Sequence, residues 1–256
     1  MTRIIAFVNQ KGGVAKTTST INIGAGLSLK NKRALLIDLD PQGNLTASLG
    51  IAAHELECTT HEILTGSCTI NEAIVKNNGY YVVPADIRLS GAEIELSNQP
   101  GREMILKEAL QPIIKDYDYI LMDCPPSLTL LTLNGLTAAR EIFIPLQTEF
   151  LALHGMSQLL KTANTVKNRL NPSLEITGII ATFYDGRKTL NREVIEKIEA
   201  YFPDKLFKSR IRNNVALAEA QSFGVDIFQY KPTSNGANDY AALIDEVIKQ
   251  ETECKQ

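Results

Sequence analysis

Two periods of hydrophobic patterning divide this chain. Short apolar runs at residues 4–8, 33–40, 80–85, 118–123, 141–150 and 174–183 carry no helical spacing and read as buried strands. Between them, apolar residues recur at helical intervals over 19–27, 59–64, 69–74, 89–96, 102–114 and about 153–170. The segment Asn98-Gln99-Pro100-Gly101 breaks two of these helices apart. A last amphipathic helix spans 236–250 and turns Tyr240, Leu243, Ile244, Val247 and Ile248 inward. Strand–helix–strand alternation with strands apolar on both faces predicts α/β architecture and a mostly parallel central β-sheet flanked by helices on both faces.

The most informative junction joins the first strand to the first helix. It reads Asn9-Gln10-Lys11-Gly12-Gly13-Val14-Ala15-Lys16-Thr17-Thr18. Gly12 and Gly13 let backbone N–H groups curl toward an anion, and the following helix adds the partial positive charge of its N-terminus. Lys16 can reach β- and γ-phosphates, and the Thr17 hydroxyl can sit on Mg²⁺. The general phosphate-loop pattern would place glycines at Gln10 and Ala15, and neither is glycine. If position 15 is helical, alanine costs nothing there; if it needs positive φ, alanine is penalised.

Two further strand ends carry carboxylates. The second strand ends in Asp38-Leu39-Asp40-Pro41-Gln42-Gly43-Asn44, with both aspartates on one side of a regular strand. The run at 118–123 delivers Asp123, followed by Cys124-Pro125-Pro126-Ser127. Open α/β sheets place their ligands at these carboxyl ends. Cys124 has no histidine beside it in sequence and does not read as a nucleophile. His54, His61 and His154 read as surface or structural residues.

Composition adds bounds. The chain has 256 residues, 44% of them hydrophobic, a formal charge of −3 and a pI near 5.7. That balance gives no global attraction to nucleic acid. No signal peptide precedes the first strand, and no apolar run reaches the roughly 18 residues of a membrane span. The four cysteines, Cys58, Cys68, Cys124 and Cys254, form no C-x-x-C pair and are expected to be reduced thiols. Charge is nevertheless segregated: residues 187–212 hold eight basic and four acidic side chains, a local +4. Such a patch can bind phosphate backbone without reading sequence, although a solvated helix with i,i+4 pairs such as Glu193 with Lys197 would look the same.

The lysine-bearing loop, D-x-D-P-Q-G-N-x-T and D-C-P-P-S together resemble the deviant Walker A branch of P-loop NTPases. Over roughly residues 3–250 the chain is similar to ParA/Soj-type partitioning ATPases. The resemblance implies a single P-loop ATPase domain over 1–256 with a polar tail from about 251. It implies an enzyme that uses ATP and Mg²⁺. Lys11, Gly12, Gly13, Val14, Ala15, Lys16, Thr17 and Thr18 would hold nucleotide. Thr17, Asp38 and Asp123 would form the metal shell, and Asp40 would orient the attacking water. Lys11 would reach across an ATP-dependent homodimer and act, with Lys16, in catalysis. Asn213 would lie near the adenine, in a segment that carries Arg212 where the family usually has proline. Nonspecific double-stranded DNA would be bound through Arg187, Lys188, Arg192, Lys208, Arg210 and Lys231, and a ParB-like protein would stimulate hydrolysis. The resemblance implies a cytoplasmic, nucleoid-associated protein that does not bind membranes. A MinD-like membrane-cycling ATPase would need a basic amphipathic C-terminal helix, which the tail after Lys249 lacks. A nucleotide binder with impaired hydrolysis, through Ala15, is the other alternative.

Overall fold

The computed structural model describes residues 1–149 and 152–253, with the side chains of 152–155, 252 and 253 left out. Eight strands form one sheet: β1 (Arg3–Phe7), β2 (Ala34–Asp38), β3 (Val75–Asn77), β4 (Tyr80–Val83), β5 (Tyr119–Asp123), β6 (Glu141–Gln147), β7 (Glu175–Tyr184) and β8 (Leu206–Arg212). Their spatial order is β3-β4-β2-β5-β1-β6-β7-β8, and every pairing is parallel except β3 with β4.

Alternation within the strands feeds two cores. On one face lie Ile4 and Ala6 of the first strand and Val8 just past its end. They pack with α3 (Thr60–Thr65), α4 (Ile70–Ala73), α5 (Leu89–Glu95), α6 (Ile105–Leu110), α7 (Leu130–Ala138), α8 (Ala152–Arg169) and α9 (Thr189–Tyr201). Ile5 and Phe7 point to the opposite face, under α1 (Lys16–Leu29), α2 (Asn44–Ser48), α10 (Val215–Ser222), α11 (Ile227–Tyr230) and α12 (Asn235–Glu253). Within α1, a Cβ at Gly24 would overlap Leu36, and one at Gly26 would overlap Ile244, so both glycines set how closely this helix packs.

The core residues expected of the last helix are in place. Tyr240, Leu243, Ile244 and Val247 are buried, and Ile248 packs on them. Several expectations change. The helix expected over 102–114 contracts to α6 with a short 3₁₀ turn after it. The polar tail from 251 begins instead inside α12, where Glu251 accepts hydrogen bonds from Tyr119 and Lys32. Two strands, β3 and β8, were not read from the pattern. For β3 a signal existed: Asn78 (φ 43°) and Gly79 (φ 96°) form the two-residue Asn-Gly turn of a hairpin.

The cysteines depart from expectation too. Cys58 and Cys68 form a disulfide across the helix α3 rather than standing as free thiols, because the turn at Gly66 folds the chain back on itself. Their Cα atoms are 6.0 Å apart, within the range a disulfide spans. Cys124 is a free buried thiol, as expected. The side chain of His154 is not among those described, and Cys254 lies outside the described residues.

Candidate functional site

The carboxyl ends of β1, β2 and β5 meet at the middle of the sheet, where β1 stands between β5 and β6. The chain leaves β1 and turns through Gly12 and Gly13 into α1. A Cβ at either glycine would meet nothing within 4 Å, so the loop faces open space, and Gly13 sits at φ 71°. Asn9 shapes the loop from beneath. Its carboxamide oxygen accepts from the Lys11 N–H at 3.0 Å, and its Nδ2 donates to the Pro145 carbonyl at 2.7 Å.

Position 15 resolves the alternative left open by the sequence. Ala15 is left-handed, with φ 64° and ψ 36°, immediately before the first helical residue. An L-residue with a Cβ pays about 1–2 kcal/mol for that conformation, which glycine would avoid. The loop keeps its shape despite the alanine because neighbours hold it: Ser19 N–H donates to the Ala15 carbonyl at 3.0 Å, and the Thr182 hydroxyl donates to the Val14 carbonyl at 3.2 Å.

Lys16 is buried, its ammonium 3.4 Å from the Lys11 carbonyl. Burial lowers its pKa, against the opposing fields of Asp123 and Asp40. Beside it three carboxylates converge. Asp38 and Asp123 are register partners at the ends of β2 and β5. Thr46 donates to Asp38 through both its backbone N–H (3.0 Å) and its hydroxyl (2.7 Å), and the Asp40 N–H donates to the other Asp38 oxygen at 3.1 Å. The Thr17 hydroxyl donates to Asp123 Oδ2 at 2.6 Å. Asp123 Oδ1, fully buried, has no hydrogen-bond partner. Burial pushes Asp38 up to about 7, and burial together with the Asp38 charge pushes Asp123 up to about 8.

An unsatisfied buried carboxylate oxygen costs several kcal/mol unless a cation supplies the missing partner. Hard oxygen donors clustered with a threonine hydroxyl suit Mg²⁺. The residues present therefore fit a magnesium ion, with Thr17, Asp38 and Asp123 able to hold it directly or through water. The adjacent Cys124 is not a nucleophile: burial pushes its thiol well above the usual range, with Asp123 adding to the effect.

A cavity of about 620 Å³ joins this phosphate end to a second wall. Gly12, Gly13, Ala15, Lys16, Thr17, Thr18 and Asp40 line one end. Asn213, Asn214, Val215, Leu217, Ala218 and Gln221, from the β8–α10 turn and α10, line the other. Gln221 Nε2 donates to the Thr18 hydroxyl at 3.0 Å and ties the two walls together. Asn213, singled out from sequence, is in the lining; Val14 is buried behind it. Pattern reasoning missed Phe183, because the last residue of a buried strand carries no spacing signal of its own.

Lys11 behaves differently from Lys16. Its ammonium is half-exposed and contacts Gln147 Oε1 at 2.9 Å and Glu149 Oε2 at 3.2 Å, both from the exit of β6. The basic residues named from sequence fall in three places. Arg187, Lys188 and Arg192 sit together at the β7–α9 turn, with Arg187 gripping Asp185 through two nitrogens at 2.9 Å. Lys208 and Arg210 lie on the edge strand β8, where Arg210 pairs with Glu199 at 3.1 Å. Lys231 is exposed just past α11.

Comparison with known proteins gives this geometry a family. Residues 2–176 match a family model described as an AAA domain. The chain is 46% identical over 253 residues to the chromosome-partitioning ATPase Soj of Treponema pallidum, covering 98% of this chain and 99% of that one. It is 47% identical over 249 residues to the sporulation initiation inhibitor protein Soj of Bacillus subtilis, covering 96% and 98%. Among solved structures it is similar to a protein titled cobyrinic acid a,c-diamide synthase from Mycobacterium smegmatis with bound ADP and magnesium. There the TM-score is 0.87 at 40% identity, with 98% and 96% of the chains covered. It is also similar to the cell division ATPase MinD of Pyrococcus furiosus, with TM-score 0.80, 26% identity and coverage of 98% and 100%. With a phosphate loop, a carboxylate triad and near-full-length identity of this order, the chain belongs to the ParA/Soj family of chromosome-partitioning ATPases.

Proposed function

We propose that this protein is an ATP-driven partitioning switch, binding ATP·Mg²⁺ in the cavity at the carboxyl ends of β1, β2 and β5. The observation that carries the reading is the buried Asp123 Oδ1 without a partner, set beside the Thr17 hydroxyl, Asp38 and the buried Lys16. That arrangement is costly in isolation and becomes favourable once a phosphate-bound cation enters. Thr17, Asp38 and Asp123 would hold Mg²⁺, which when bound would supply positive charge against that developing on the phosphates.

The protein's own groups divide the work. Loop N–H groups and the start of α1 hold phosphate oxygens, and Lys16 neutralises them. Asp40 stands at the mouth of the cavity, its backbone held by Asp38 and its carboxylate accepting from the Gln42 N–H at 3.0 Å. From there it can orient a water toward the terminal phosphate and take its proton. Lys11 is on the surface, held by a half-exposed ion pair of the kind worth under about 1 kcal/mol. It is thus free at little cost to reach a nucleotide in a second copy of the chain, as a positive finger in trans. The resulting ATP-dependent homodimer would bind nonspecific duplex DNA through the exposed cations Arg187, Lys188 and Arg192, with Lys208, Arg210 and Lys231 as further candidates. A ParB-like protein would stimulate turnover and release it, placing the protein on the cytoplasmic nucleoid. No helix among the described residues is long and apolar enough to cross a membrane.

The test is ATP turnover and particle size in ATP and in ADP, with and without duplex DNA of arbitrary sequence. The reading requires an ATP-dependent dimer whose DNA binding weakens steeply with salt. Binding of ATP with neither a dimer nor a DNA complex would refute the switch while leaving the nucleotide site intact.

A further inference from the structure

Five non-glycine residues among those described adopt positive φ: Ala15, Asn31, Asn78, Phe183 and Asp204. Asparagine and aspartate visit this region readily, whereas alanine and phenylalanine do not. The two costly positions, Ala15 (φ 64°) and Phe183 (φ 52°), both line the nucleotide cavity. Strain of this kind persists where surrounding structure over-determines it, and it concentrates at ligand sites.

Phe183 is placed there by a defect in the sheet. Along β7, Ile179 to Thr182 are fully buried, and the pairing of β7 with β8 shifts register between Ala181 and Tyr184. Such an irregularity re-aims a side chain out of the sheet. Phe183 is accordingly 37% exposed, an aromatic ring at the rim of the cavity rather than in either core. The residue before it, Thr182, is hydrogen-bonded to the phosphate loop at Val14. The ring is thereby anchored to the loop that would hold the phosphates. The same cavity is also lined by Val215, Leu217 and Ala218. An aromatic ring and aliphatic side chains in one cavity with Lys16, Thr17 and Asp40 suit a flat apolar ring with a charged tail.

We infer that Phe183 is a specificity-determining residue that stacks on the purine base of the nucleotide and sets the preference of the site for purines. The inference rests on the nucleotide reading above. The strained backbone is the means: it holds the ring in the cavity, where a regular strand would have turned it away.

The experiment compares the wild-type chain with Phe183→Gly and Phe183→Leu by titrating ATP, CTP and inorganic tripolyphosphate in Mg²⁺. Glycine removes the ring and relieves the positive φ, so that variant keeps its fold; leucine keeps bulk without a π face. Loss of base stacking should weaken ATP binding by about tenfold in Phe183→Gly, lower the ATP-to-CTP preference and leave tripolyphosphate unchanged. Phe183→Leu should fall between the two. Unchanged ATP affinity in Phe183→Gly overturns the inference. So does an equal loss for ATP and tripolyphosphate, which would make the residue a support for the phosphate loop. Failure of the wild-type chain to bind ATP or tripolyphosphate would remove the nucleotide reading itself and this inference with it.

Discussion

The phosphate end of the cavity and the basic edge formed by α9 and β8 are both rich in charge, yet they hold it in opposite ways. At the phosphate end, Lys16, Asp38, Asp40 and Asp123 are all buried, and one carboxylate oxygen has no partner. At the edge, Arg187 is 91% exposed and paired with Asp185. Buried unpaired charge opposes folding and persists because a ligand completes it. Exposed pairs cost almost nothing and contribute little. Charge at the first place is therefore informative about chemistry; at the second, it informs only about surface potential.

Replacing the charges at each place sharpens that contrast. The largest effect belongs to Asp40→Ala, which should slow ATP turnover by about 10²–10⁴-fold while ATP still binds. Steady-state turnover beside equilibrium binding measures both, and near-normal turnover would break the assignment of Asp40. Asp123→Asn should act in two directions. It removes a buried carboxylate facing Asp38, so the nucleotide-free protein should gain on the order of 1–3 kcal/mol in chemical unfolding. Magnesium-dependent tightening of ATP binding should disappear in the same variant. A loss of stability there would mean that the carboxylate is already satisfied.

Smaller effects follow. Ala15→Gly relieves a left-handed alanine and should stabilise the chain or leave it unchanged, within about 1 kcal/mol, since the relief is offset by the freer unfolded chain. Comparing unfolding midpoints tests this, and clear destabilisation would show that the Ala15 methyl makes a favourable contact. Lys188→Ala with Arg192→Ala should move stability by less than about 0.5 kcal/mol while flattening the salt dependence of DNA binding. An unaltered salt slope would place the DNA surface elsewhere.

A last comparison concerns pH. Burial would raise Glu62, but hydrogen bonds from Thr59 and an interaction with His61 outweigh it and hold the carboxylate below its usual range. A depressed folded value means that this stabilisation is present above the unfolded pKa and lost as pH falls through the folded one. Thr59→Ala should cost about 1 kcal/mol at neutral pH through the lost capping box, and less in acid. An identical cost at both pH values would detach Glu62 from the effect.

The strands at 4–8, 33–40, 118–123 and 174–183 were legible because a central parallel strand is apolar on both faces, and no other element of that length is. The phosphate loop was legible because its glycines, lysine and threonine are contiguous, so local geometry alone assembles them. The same held for Asp38, Asp40 and Asp123 as strand ends. Edge strand β8 was hidden because it alternates Phe207, Lys208, Arg210 and Ile211 with only two fully buried side chains, and its basic residues drew attention to charge instead. The Cys58–Cys68 bond could not be read either, since pairing depends on where a turn brings two thiols rather than on their spacing.

The sequence by itself determined the class of fold, the identity of the phosphate loop and the set of carboxylates, because each depends on residues near one another in the chain. Only the tertiary structure decided that Ala15 is left-handed, that Asp123 keeps one oxygen without a partner, and that Phe183 leaves the sheet to line the same cavity. These depend on how β1, β2, β5, β7 and α10 converge. Burial, strain and unsatisfied hydrogen bonds are properties of what surrounds a residue, and the surroundings come from distant parts of the chain.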